Sequence, residues 1–167
     1  MIEPPNGAIP ERALLTTKSD YLRGFDRLLG LVRRELRIFD PDLSELDMNS
    51  TPRIETLSRF LRQDRARVVH IALHDTEHVT QRCPRLITLM GSYTTGIRIQ
   101  RTQGDAAKVQ DCFVLADDDH LVRRPVTAQP RGVLVINDPK ECQPMRDRFD
   151  EIWESSVPEV SVNTTGL

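Results

Sequence analysis

The stretch that decides the fold class is VVHIAL, residues 68–73. All but one of its residues are apolar, which is typical of a parallel strand whose two faces are both covered. A helical pattern that begins at Thr51-Pro52 precedes it, and a second helical segment limited by Pro84 lies within residues 77–90. Helices on either side of a buried strand predict a parallel βα arrangement.

The same kind of pattern extends outward in both directions. Apolar residues at three- and four-residue steps predict a helix from Ser19 to Arg34, and another helix follows Asn137-Asp138-Pro139. Alternating or apolar runs bounded by turns predict strands at 36–39, 96–100, 112–116, 120–124 and 132–136. The order predicts an α/β fold in which helices flank both faces of a mixed β-sheet.

The chain length and the positions of the prolines predict one domain with a flexible segment at each end. The chain has 167 residues, enough to bury its own core. Prolines at positions 4, 5 and 10 predict a flexible lead-in over residues 1–17. We expect the α/β domain to span residues 18–157 and residues 158–167 to form a frayed tail.

Composition excludes several classes of protein. The counts of 23 basic and 25 acidic residues give a net charge of −2, so the sequence carries no strong nucleic-acid signal. No apolar run is long enough to span a membrane, and the polar N-terminus does not resemble a signal peptide, so a cytoplasmic protein is expected. Three cysteines without CxxC spacing predict reduced thiols rather than disulfides or a zinc knuckle.

Four segments carry a resemblance to a known family. They are RRELRIFDPDL (33–43), VVHIALHD (68–75), CFVLADDDHLVRR (112–124) and GVLVINDPKECQPMRDRFDEIWESS (132–156). In this order they resemble half of a phospholipase D-like enzyme. In that family, each half closes with a strand, a short polar turn and a long helix ending in Phe-x-x-x-Trp, which here is Phe149 and Trp153.

The resemblance implies a phosphodiesterase motif that this sequence lacks. The family motif is His-x-Lys-x4-Asp, in which the His is the nucleophile and the Lys binds phosphate oxygens. With Asp117 as the motif Asp, Gln110 and Cys112 stand at the other two positions, and frames on Asp118 or Asp119 also lack His and Lys. Arg123-Arg124 stand where the family has Gly-Ser. The resemblance therefore implies the fold and predicts an inactive member.

Other ligand patterns are weaker. His70, His74 and His78 are four residues apart, but His70 lies within a predicted strand, so a polar strand end is favoured over a metal site. The run Asp117–Asp119 reads as a solvated turn, and glycine-rich phosphate loops are absent. The sequence thus predicts neither a metal ion nor an organic cofactor.

The candidate ligand site lies where the family groove would be. It comprises Gln110, Asp111, Arg123, Arg124 and Asn137, with His74 and Asp75 further off. The two arginines are predicted to replace the lost Lys as an anion clamp for a phosphate-bearing ligand. Because single halves of this fold usually pair, we expect a homodimer.

Two alternatives stay open at this point. The first is a hydrolase of phosphodiesters or esters with altered chemistry, in which His74 and Asp75 act as a general base. The second is a structural or regulatory domain that docks to a separate enzyme.

Overall fold

The computed structural model of the chain describes residues 8–160, and it contains one mixed sheet. The strands are β1 (Glu11–Leu15), β2 (Glu35–Asp40), β3 (Val68–Leu73), β4 (Ile97–Arg101), β5 (Cys112–Ala116), β6 (His120–Arg124), β7 (Gly132–Ile136) and β8 (Val157–Pro158). The helices are α1 (Lys18–Leu31), α2 (Thr51–Arg62), α3 (Glu77–Arg82), α4 (Pro84–Ser92) and α5 (Pro139–Ser155), with a 3-10 turn at Gly104–Lys108.

The sheet order is β1-β7-β6-β5-β2-β3-β4-β8. The pairs β2–β3 and β3–β4 are parallel, whereas the remaining pairs are antiparallel. Parallel pairing follows from the helical crossovers between β2, β3 and β4, and antiparallel pairing follows from the tight turn between β5 and β6. The predicted mixed α/β sheet is confirmed.

Helices cover both faces of the sheet, also as predicted. The larger core joins one face to α1, α2, α3 and α4 through side chains such as Phe25, Leu57 and Leu86. The smaller core joins the opposite face to α5, where Phe149 and Ile152 pack on Phe39 and Phe113. Successive strand residues point to opposite faces, so β2, β3, β5, β6 and β7 each contribute to both cores.

The loose lead-in predicted over residues 1–17 is wrong for residues 11–15, which form β1. This strand pairs with β7 from Glu11 opposite Ile136 to Leu15 opposite Gly132. The prolines that suggested irregular structure all precede the strand, and its partner lies more than one hundred residues away along the chain. Residues 1–7 lie outside those described.

The predicted tail, residues 158–167, is partly ordered. Pro158 pairs with Gln100 as the last residue of β8, and residues 161–167 lie outside the described part of the chain.

Pro84 and Pro144 have different positions in the helices that contain them. Pro84 opens a new helix directly after α3, because proline suits a first helical position. Pro144 lies inside α5, which runs without interruption from Pro139. The helix thus follows Asn137-Asp138-Pro139 as predicted, and the Asp138 side chain caps its start by accepting from the Glu141 N–H.

Candidate functional site

Asp117, the motif Asp in the first frame, has a structural role. It follows β5 with a positive φ of 55°, and its carboxylate accepts hydrogen bonds from the backbone N–H groups of Arg33, Arg34 and Glu35 at 3.0, 2.8 and 3.1 Å. These N–H groups belong to the end of the connection after α1 and to the first residue of β2. The side chain therefore joins the β5–β6 turn to the start of β2.

Cys112, at the position of the motif Lys, lies in a buried group of polar side chains. Its cross-strand partner is Arg124, which is 2% exposed, forms an ion pair with Glu45 and lies 4.9 Å from the Tyr21 ring centre. Burial raises the pKa of the Cys112 thiol, and so does the charge of nearby Asp40. We call Tyr21, Glu45, Cys112 and Arg124 the Arg124 cluster.

A second polar group, the Asp111 cluster, lies on the opposite face of the sheet and consists of Asp111, Arg123 and Arg148. The Asp111 carboxylate is 4% exposed and receives both guanidinium groups. Arg148 binds it through two nitrogens, with Nη2 2.5 Å from Oδ1, whereas Arg123 Nη2 and Nε lie 3.3 and 3.4 Å from Oδ2. The Arg123 and Arg148 side chains are 31% and 30% exposed, so each is partly accessible to solvent.

The clamp predicted from Arg123 and Arg124 together is therefore wrong in its geometry. Neighbouring residues of β6 point to opposite faces, which places Arg123 with Phe113 and α5 but Arg124 with Cys112 and α1. Each arginine also has its own carboxylate partner.

His74 is fully engaged by the connection that follows β4. Its Nδ1 lies 2.6 Å from the Thr102 hydroxyl, and its Nε2 lies 3.0 Å from the Val109 carbonyl oxygen. A carbonyl oxygen can only accept, so Nε2 carries the proton and Nδ1 accepts from the hydroxyl. Neither nitrogen has a free lone pair for a general base, although the ring lies close to Gln110.

The remaining candidate residues do not form one pocket. Asp75 is exposed and accepts from the Glu77 N–H at 2.8 Å, and Gln110 is exposed. Asn137 lies at the other end of the strands, where its backbone N–H donates to His120 Nδ1 at 3.1 Å. The seven residues grouped from the sequence are thus split among several places, and Asn137 lies apart from the arginines.

Arg148 is the residue that sequence reasoning missed. It directly precedes Phe149, which was identified as part of the closing helix, and its guanidinium lies 5.8 Å from the Phe113 ring centre. The only sequence signal was a basic residue next to the buried stripe of α5. Its pairing with Asp111 depends on how that helix crosses the sheet.

Within residues 8–160, no group of three or more His, Cys, Asp or Glu side chains is arranged to hold a metal ion. None of the helices in that range is both long enough and apolar enough to cross a membrane. Cys83, Cys112 and Cys142 are buried free thiols.

Solved structures with a similar fold include a phospholipase D family member and a phosphatidylserine synthase. NUC from Salmonella typhimurium, a phospholipase D family member, matches at TM-score 0.59 and 13% identity, covering 92% of this chain and 100% of that one. NucT from Helicobacter pylori matches at TM-score 0.59 and 12% identity over 90% of this chain and 100% of that one. Phosphatidylserine synthase from Haemophilus influenzae matches at TM-score 0.55 and 12% identity over 95% of this chain and 41% of that one.

A match of another kind is TrmBL2, an archaeal chromatin protein whose structure shows a mode of DNA binding. It aligns at TM-score 0.64 and 12% identity over 93% of this chain. The present chain spans 57% of its length. At such low identities these similarities concern the fold.

The chain thus has a fold similar to that of phospholipase D family members, as the sequence predicted. More narrowly, a family model described as "Domain of unknown function (DUF7931)" matches residues 18–164, and the chain belongs to that family. No curated protein matches the sequence.

Proposed function

We propose that this chain is a phospholipase D-like domain without phosphodiesterase activity that binds a phosphate-bearing ligand at the Asp111 cluster. The observation that carries the proposal is the convergence of two partly exposed arginines, Arg123 and Arg148, on one buried carboxylate. The cluster has a net charge of +1. It lies next to the position where the family's nucleophile would stand.

Loss of the family reaction is supported by the side chains at the motif positions. Covalent catalysis on phosphorus needs a nucleophile with a free lone pair. Gln110 has an amide, which is not nucleophilic, and burial keeps Cys112 as a neutral thiol by raising its pKa. His74, the nearest imidazole to this position, uses both ring nitrogens in hydrogen bonds.

Ligand binding is supported by the way that Asp111 holds the two arginines. A buried carboxylate orients the guanidinium groups before a ligand arrives, which reduces the entropy lost on binding. The Arg123 hydrogen bonds of 3.3 and 3.4 Å are long, so this guanidinium can turn toward a second anion at little enthalpic cost. Guanidinium pairs favour phosphate because they form two parallel charge-assisted hydrogen bonds.

We also propose that the protein is a homodimer, as expected for a single half of this fold. The alignments with NUC and NucT cover 100% of those two chains and 90% or more of this one. Both of those chains are therefore also single units of about this length. Sedimentation equilibrium tests this, and a monomer at micromolar concentration would contradict it.

Binding is tested by isothermal titration calorimetry with methyl phosphate. Replacing Arg123→Gln or Arg148→Gln removes one charge-assisted hydrogen bond and is expected to weaken binding about tenfold. Arg65→Gln is the matched control, because Arg65 is exposed in the turn before β3 and far from Asp111 in the fold. Equal affinity in all three variants would refute the site.

Inactivity is tested separately with bis(4-nitrophenyl) phosphate. We expect no release of nitrophenol above the buffer rate for the wild-type protein. Turnover that disappears in His74→Ala but persists in Arg65→Gln would overturn this part of the proposal and would support His74 as a catalytic group.

A further inference from the structure

Three cationic or titratable side chains lie in a row on neighbouring strands. Arg37 of β2 pairs in register with His70 of β3, which pairs in register with Arg98 of β4. Residues in direct register share a face of the sheet, and His70 stacks on Trp153 of α5. The row therefore lies on the α5 face, and it shares no residue with the Asp111 cluster.

None of the three side chains has all of its nitrogen atoms bonded to protein within residues 8–160. Arg37 donates from Nη2 to Glu35 at 2.8 Å, but its Nη1 is buried and unpartnered. The nearest carboxylate oxygen to His70 Nδ1 is that of Glu35, at 3.7 Å, which is too long for a hydrogen bond. Arg98 is exposed and forms no ion pair with any residue in the described range 8–160.

The row is positively charged and its centre is held in place. Two guanidinium groups face one carboxylate, that of Glu35, which gives a net charge of +1 when His70 is neutral. The imidazole stacks on Trp153 at 4.6 Å between ring centres and 14° between planes, and Trp153 in turn stacks on Phe149. This stacking fixes the ring plane, so its edge and N–H groups keep one direction.

We propose that Arg37, His70 and Arg98 together bind a tetrahedral oxyanion, either inorganic phosphate or the terminal phosphate of a monoester. Adjacent strands lie about 4.8 Å apart, so the two arginine backbones are about 10 Å apart, a gap that both side chains can span from either side of the imidazole edge. Two guanidinium groups on either side of one imidazole offer donors to the three free oxygens of a phosphate monoester. A planar carboxylate would leave one of these groups unpaired.

His70 provides an internal reporter of occupancy. Burial lowers its pKa, the charge of Glu35 opposes this, and Arg98 and Arg37 lower the pKa further. These groups and Trp153 are the neighbours that face the ring from β2, β4 and α5. A bound dianion stabilises the imidazolium form, so it raises the pKa of His70.

The experiment follows Trp153, the only tryptophan of the chain, by fluorescence during a pH titration. A protonated imidazole stacked on an indole quenches its emission, so the emission follows the charge of His70. NMR of the imidazole Cε1–H signals gives the same pKa independently. Inorganic phosphate and methyl phosphate are compared with dimethyl phosphate and acetate, which test the need for a dianion and for tetrahedral geometry.

We expect both phosphate dianions to raise the pKa of His70 and acetate to leave it unchanged. Arg98→Gln should weaken the phosphate response about tenfold, whereas Arg65→Gln should not change it. Arg148→Gln, which disables the Asp111 cluster, should also leave the response intact, so the two proposed sites succeed or fail separately. An unchanged pKa of His70 in phosphate, an equal response to acetate, or an unaffected Arg98→Gln variant would each overturn the proposal.

Discussion

Replacing Asp40→Asn is expected to stabilise the protein at neutral pH. Asp40 is 4% exposed at the end of β2, and its carboxylate accepts from the backbone N–H groups of Leu43 and Asp42 at 2.8 and 3.2 Å. Burial raises its pKa from the ordinary 3.8 to about 6, despite these hydrogen bonds. An asparagine keeps an oxygen acceptor for the turn but has no charge to bury.

The size and pH dependence follow from linkage. The pKa of Asp40 rises from 3.8 to about 6 on folding. At 1.36 kcal/mol per pKa unit, the ionised Asp40 carboxylate therefore destabilises the folded state by about 3 kcal/mol. Between these pH values the folded state binds more protons than the unfolded state, so the wild type loses this stability as pH rises. The advantage of Asp40→Asn should thus be about 3 kcal/mol above pH 6 and should shrink to about 1 kcal/mol near pH 4.5.

Urea unfolding of the wild type and Asp40→Asn across this pH range measures the difference directly. Asp64→Asn is a matched control, because the exposed Asp64 carboxylate accepts from the Ala66 N–H at 2.8 Å in a similar turn. A less stable Asp40→Asn variant at neutral pH, or a gain that does not change with pH, would refute the reasoning.

Further predictions concern the frame of the site. Gly132→Ala should lower the free energy of unfolding by about 1–3 kcal/mol, because a Cβ there would clash with the Arg123 carbonyl oxygen. Gly91→Ala is the control in a helix and should not destabilise the protein, because its Cβ would meet nothing within 4 Å. Thermal unfolding distinguishes the two. Asp117→Ala should cost about 2–3 kcal/mol in urea unfolding, since three backbone N–H groups lose their shared acceptor, and Asp117→Asn, which tolerates the positive φ and keeps one acceptor, should cost less. Equal losses for the two Asp117 variants would contradict the assigned role.

The sequence predicted the bounds of a strand correctly where the pattern lies within the strand and its flanking residues. The strands 68–73, 112–116, 120–124 and 132–136 have the predicted bounds, because each is an apolar run that a turn or polar residues end. β1 was missed because four of its five residues are exposed, so it has no buried pattern. Its existence depends on the backbone partner that β7 offers across the sheet.

The same distinction explains the outcome for the candidate site. The sequence placed Asp111 and Arg123 near the motif position, since both flank the β5–β6 hairpin and its turn is readable. It could not find Arg148, because the contact with Asp111 depends on the crossing of α5 over the sheet. The sequence prediction also grouped Asn137 with Asp111 and Arg123. In the structure Asn137 lies beside His120, at the opposite end of the strands, which the order of elements along the chain does not reveal.

The contrast among the three motif positions explains how a fold of this kind persists without its reactive groups. Three backbone N–H groups before β2 need an acceptor, and only a short carboxylate at position 117, in a left-handed conformation, reaches all of them. Gln110 is exposed and Cys112 is a buried thiol beside Arg124, so the fold demands neither an imidazole nor an ammonium there. The carboxylate at position 117 thus has a role in the fold itself, whereas the fold does not depend on the family's His and Lys at positions 110 and 112.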